Sequence, residues 1–70
     1  MGQEQLQQKI RKYRKQLKIT QEELAKKADI PYATLVKIEN GRVTNPTIQT
    51  LFKIANALGV GVEDLINQTA

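Results

Sequence analysis

Leu6, Ile10, Tyr13 and Leu17 recur at intervals of four, three and four residues, which puts all of them on one stripe of an α-helix. The stripe predicts a first helix over residues 3–17, with Tyr13 as a ring at the core edge. Lys18-Ile19 then forms a short link. Thr20 followed by Glu23 is the capping-box pattern, and Ile19 can act as a hydrophobic staple onto Leu24. Leu24, Ala25 and Ala28 give the second helix its apolar stripe. Asp29 tolerates positive φ, and Pro31 suits the first turn of a third helix over residues 31–40. Leu35 and Ile38 form its narrow core face, and Asn40-Gly41 stops it. Residues 41–46 read as a loop punctuated by Gly41, Asn45 and Pro46. Thr47 caps a fourth helix whose stripe is Ile48, Leu51, Phe52, Ala55 and Leu58. Gly59 ends that helix, with Val60 placed for a Schellman-type contact. Gly61 is a usable cap for a short fifth helix from Val62 to Asn67, and Gln68 to Ala70 are expected to fray. No stretch alternates as a strand would. The expectation is an all-α fold, five short helices around one core, in a single domain over residues 1–70.

The third helix has two unlike sides. At about 100° per residue, Pro31, Leu35 and Ile38 cluster on one side. The opposite side carries Ala33, Val36, Lys37 and Asn40, with Tyr32 on the flank and Lys37 as the only charge. Small apolar, amide and cationic groups together can lie against base edges, where methyl contacts and hydrogen bonds both count. A surface helix with two stray apolar residues gives the same pattern. By the same count Glu39 projects toward the core flank.

Composition narrows the chemistry. There is no histidine and no cysteine, so the commonest general base, the commonest metal ligand and any disulfide framework are missing. No cofactor is expected. No apolar run approaches a membrane span and no signal-peptide pattern is present, which points to a cytoplasmic protein. Eleven Lys and Arg against seven Asp and Glu give a net charge of +4. Six of the cations, Lys9, Arg11, Lys12, Arg14, Lys15 and Lys18, fall in residues 9–18 with no acid among them. A solvated helix face is the ordinary reading of such a run, Lys9 and Lys12 above all.

The stretch ITQEELAKKADIPYATLVKIENG closely resembles the helix-turn-helix of the phage repressor and Cro family, also called the XRE family. The matching pieces are Thr20 to Ala25, the turn at Asp29-Ile30, the Leu35/Ile38 pair and Ile38 to Gly41. Downstream, NPTIQTLFKIANALGV fits as well, so the resemblance runs over roughly residues 6–66. It implies a compact five-helix, lambda-repressor-like DNA-binding domain with its helix-turn-helix at about 20–40. It implies a prokaryotic or phage-encoded regulator, nucleoid-associated and a repressor in its commonest form, that reads the major groove of double-stranded DNA. Gln21 falls on the family's phosphate-gripping position. Tyr32, Ala33, Val36 and Lys37 fall on groove-facing positions, with Thr34 and Asn40 nearer the backbone. Several relatives carry Gln, Ser or Arg at the first two of these, so this face predicts fewer bidentate bonds and more apolar contact. Arg42, Thr44 and Asn45 become loop contacts to phosphate. Thr47 stands where some relatives place a minor-groove Arg. The family also pairs an Arg at the position of Arg14 with the Glu at 39, which makes both structural.

Such domains double a short site by pairing, so the resemblance implies a homodimer on a palindromic operator. It would use the end formed by the fourth and fifth helices and assemble mainly on DNA. An interaction module that keeps this fold but binds protein is the competing class. Ala33 and Val36 leave room for it, whereas Gln21, Lys37 and the basic balance argue against it. An enzyme is disfavoured by the missing His and Cys and by the lack of a close carboxylate pair in a plausible cleft.

Overall fold

Most helices of the structure, a computed structural model describing residues 5–66, begin or end at a local backbone device. Helix α1 spans Leu6–Gln16, α2 Gln21–Ala28, α3 Tyr32–Glu39, α4 Ile48–Leu58 and α5 Val62–Ile66. The expected residues 3 and 4 of the first helix, and Asn67 of the fifth, lie outside the described residues. At the start of α1 the Gln5 N–H donates to Gln8 Oε1 at 3.0 Å. At α2 the capping box is complete: the Glu23 N–H donates to Thr20 Oγ1 at 3.1 Å, and the Thr20 N–H donates to Glu23 Oε1 at 2.7 Å. Thr47 caps α4 by accepting the Thr50 N–H at 3.2 Å. At α5 the Gly61 N–H donates to Asp64 Oδ2 at 2.9 Å.

Three C-termini close in the same way. Lys18, after α1, takes φ +59° and Ile19 N–H reaches back to the Arg14 carbonyl at 3.3 Å. Asp29 takes φ +59° and Ile30 N–H reaches back to the Ala25 carbonyl at 3.0 Å. Gly59 takes φ +76° and Val60 N–H reaches the Ala55 carbonyl at 3.0 Å. All three are left-handed caps of the Schellman type. Pro31 stands one place earlier than expected: it is the N-cap of α3, with extended backbone, and helical geometry begins at Tyr32.

The core is one cluster. Ile10 from α1, Leu24, Ala25 and Ala28 from α2, Leu35 and Ile38 from α3, Ile54, Ala55 and Leu58 from α4 and Leu65 from α5 are buried together. Helix α2 packs against both α3 and α4, while α1 rests on α3, α4 and α5. Ile19, the staple residue, packs against this cluster from its edge.

Two expectations fail at helix ends and edges. The sequence spacing puts Ile48 and Phe52 in the apolar stripe of the fourth helix, yet both are about two-thirds exposed, at 67% and 66%. The residue missing from that stripe is Ile54, which is fully buried. Leu51, Ile54, Ala55 and Leu58 follow the i, i+3, i+4, i+7 spacing of one narrow face, and Ile48 and Phe52 lie on its flank. Leu17 was placed in the first helix's stripe, but it is the C-cap of α1 and 46% exposed. The chain turns there because Lys18 adopts φ +59°, so the apolar stripe effectively stops at Tyr13.

Candidate nucleic-acid interface

Helix α3 is held by its inner face and shows its outer one. Leu35 and Ile38 are buried, and Glu39 is only 2% exposed. On the other side Ala33, Lys37 and Asn40 are exposed, Thr34 and Val36 are half-buried, and Tyr32 is half-exposed. The outer surface therefore offers a phenol, an ammonium, an amide and a hydroxyl set among methyl groups.

The following loop is tied to the end of this helix. The Arg42 N–H donates to Asn40 Oδ1 at 3.0 Å, which fixes the Asn40 side chain and leaves its NH2 group as the outward donor. The Val43 N–H donates to the Lys37 carbonyl at 3.0 Å, and the Val43 side chain packs against the core. Val43 was not singled out in the sequence; an apolar residue among turn formers was its only signal. Arg42, Thr44 and Asn45, on either side of this anchor, are all exposed.

Behind α3 lies a buried polar cluster centred on Glu39. Arg14 Nε donates to Glu39 Oε2 at 2.8 Å and Arg14 Nη2 to Oε1 at 3.0 Å, a two-pronged bond between α1 and α3. Arg14 Nη1 also donates to the Ile19 carbonyl at 3.0 Å, tying down the link before α2. Gln21 Nε2 donates to Glu39 Oε1 at 3.1 Å. Gln21 is thus half-buried and joined to the network from the start of α2, where an outward reach to phosphate had been expected of it. A carboxamide has a second N–H, so this bond engages half of its donor capacity. Arg11, not singled out beforehand, donates from Nη2 to the Glu39 backbone carbonyl at 2.6 Å. Among the described residues no buried side-chain N or O atom lacks a partner.

Among the described residues there is no cluster of His, Cys, Asp and Glu fit to hold a metal ion, and no helix long and apolar enough to cross a membrane.

A family model described as helix-turn-helix matches residues 10–65. An HTH-type transcriptional regulator of Methanocaldococcus jannaschii is 40% identical over 57 residues, which covers 81% of this chain and 85% of that protein. The immunity repressor protein of Bacillus phage phi105 is 39% identical over 61 residues, covering 87% of this chain but 42% of the phage protein. The N-terminal DNA-binding domain of SinR from Bacillus subtilis superposes with a TM-score of 0.87 at 38% identity, over 91% of this chain and 93% of that domain. The five-helix order, the left-handed turn at Asp29, the two-faced α3 and these matches agree: the chain belongs to the helix-turn-helix family of sequence-specific DNA-binding transcriptional regulators, of the XRE and Cro-like kind.

Proposed function

We propose that this domain represses transcription by binding an operator of two-fold symmetry as a homodimer, with α3 lying in the major groove. The observation that carries the reading is the division of α3. One face is locked into the core through Leu35, Ile38 and Glu39, and the other presents Ala33, Val36, Lys37 and Tyr32 outward. Lys37 is the donor for guanine O6 and N7, and Ala33 and Val36 meet thymine methyls. Tyr32 touches a phosphate, sugar or base edge. Thr34 and Asn40 lie nearer the backbone, and Gln21, Arg42, Thr44 and Asn45 contact phosphates.

The phage relative's name, an immunity repressor, supports repression over activation. One helix of this length reads only a few base pairs, so a dimer with its recognition helices about one DNA turn apart doubles the site. Ile48 and Phe52 on α4 and Ile66 on α5 are large apolar side chains left exposed, and they suit a second copy at that end of the molecule. That pairing is proposed to form mainly on DNA. The setting of such a regulator is the cytoplasm, at the nucleoid.

Paired substitutions separate holding from reading. Gln21→Ala should weaken binding to every duplex alike, because phosphate contacts carry no sequence code. Lys37→Ala should relax preference at one base pair per half-site, with about 1–3 kcal/mol of lost discrimination. Titration of both variants against operator and scrambled duplexes checks this. Equal losses on the two duplexes for Lys37→Ala would remove it as a base reader. Failure of the wild type to bind any duplex would favour a protein-binding module.

A further inference from the structure

Two arginines converge on one carboxylate, and only one of them is needed there. Arg14 occupies both oxygens of Glu39 by itself, at 2.8 and 3.0 Å. Arg11 stands at the rim of that pair, its Nε 4.0 Å from Glu39 Oε1. Its firm anchor is the backbone: Nη2 donates to the carbonyl of Glu39, the last residue of α3, at 2.6 Å. A cation at that position also complements the negative end of the helix dipole. One negative charge facing two guanidiniums leaves the cluster with an excess positive charge. That excess lies outward, because the Arg11 side chain is 43% exposed while those of Arg14 and Glu39 are 13% and 2%.

Gln21 joins the same oxygen. Its Nε2 is 3.1 Å from Glu39 Oε1, the atom that Arg11 Nε also approaches. The guanidinium and the carboxamide thus flank one atom, near enough for the oxygens of one phosphate group to engage both. A guanidinium carries five N–H donors in a rigid fork. Docking one of them on a carbonyl fixes the plane of the fork and leaves other donors for a ligand.

We propose that Arg11 is a DNA-backbone contact, docked on the terminal carbonyl of the recognition helix and held beside Gln21 so that both grip the same stretch of phosphate. The proposal rests on the reading of Gln21 as a phosphate contact. It divides the basic run of α1 into an internal cation, Arg14, a bridging one, Arg11, and an outward one, Lys15. Glu39 is the pivot that positions both DNA-facing groups from behind.

The test is a salt series with the full chain, on an operator duplex selected from random DNA and on a scrambled duplex. Arg11→Gln keeps N–H donors and loses the charge. Its plot of log affinity against log salt should be shallower by about 0.9 per subunit on both duplexes. At moderate salt its binding should weaken about tenfold, the loss of one charge-assisted bond. Gln21→Ala should weaken binding with the slope unchanged, since no charge is removed. Lys15→Ala, exposed and outside the cluster, should change neither. A wild-type slope for Arg11→Gln overturns the proposal. A shallower slope for Arg11→Gln beside a silent Gln21→Ala overturns the reading of Gln21 and the shared grip, and leaves Arg11 as a contact in its own right. Thermal melting verifies that each variant is folded. If Arg11→Gln does not fold, Arg11→Lys decides. Weaker binding at an unchanged slope supports the docked guanidinium, and full wild-type affinity overturns it.

Discussion

Glu39→Ala should remove about 3–5 kcal/mol of stability, because it strands the largely covered guanidinium of Arg14, 13% exposed, without its carboxylate. A domain of this size holds roughly 4–10 kcal/mol in total, so the variant should stand near the limit of folding. At about 4–8 °C per kcal/mol, the midpoint of thermal unfolding should fall by about 12 °C or more. Arg14→Ala should cost a similar amount. It leaves Glu39 with Gln21 as its remaining direct side-chain donor and releases the Ile19 carbonyl. The double variant should lose much less than the sum of the two, since the second substitution removes the group that the first one stranded. Lys15→Ala is the control on the exposed face of α1 and should melt within about 0.5 kcal/mol of the wild type. If Arg14→Ala melts like the wild type and binds DNA poorly, Arg14 belongs to the DNA surface and the pair is not structural.

The second large effect lies on α4. Ile54→Ala should destabilise the domain by about 2–5 kcal/mol, since the side chain is fully buried among residues of the one core cluster and its loss leaves a cavity. Phe52→Ala removes a larger side chain, yet should leave the stability of the free chain nearly unchanged because two-thirds of Phe52 already faces solvent. Urea denaturation of both variants checks the contrast. Comparable losses at the two positions would mean that Phe52 packs into the core after all.

These two helices also show what the sequence could carry. Caps were legible because they are local. Thr20 with Glu23, Asp29, Thr47 and Gly59 each announce a backbone conformation within a few residues, and each adopts it. The core of α2 and α3 was legible because its stripe is narrow and flanked by polar residues. The face of α4 was not. Ile48, Leu51, Phe52, Ile54, Ala55 and Leu58 spread over an arc of about 160°, wider than the face that is buried, and periodicity cannot choose between two overlapping stripes. The choice belongs to the packing partners, since α4 packs mainly against α2 and α5 and Ile54 joins the shared core cluster. Leu17 failed for a different reason: it fits the i+4 spacing, but the positive φ of Lys18, an unusual residue for that conformation, ends the helix before it.

At the proposed DNA-facing surface, the outward placement of the α3 residues follows from their angle on the helix, and their proposed contacts follow from the resemblance. The Glu39 cluster could be read only in part. The burial of Glu39 follows from its angle on α3. The docking of Arg11 on a backbone carbonyl depends on how closely α1 crosses the end of α3, a distance set by tertiary packing. The bond from Gln21 to Glu39 arises in the same way, from the meeting of an α2 N-terminus with an α3 C-terminus eighteen residues on.

Selection of bound duplexes from a pool of random DNA tests the central claim most directly. A sequence-specific dimer should enrich one motif within a few rounds. That motif should consist of two related half-sites in inverted order, with centres about one helical turn, roughly 10 base pairs, apart. A pool that stays random after selection, from protein that melts cooperatively and is therefore folded, would contradict sequence-specific operator binding by this chain.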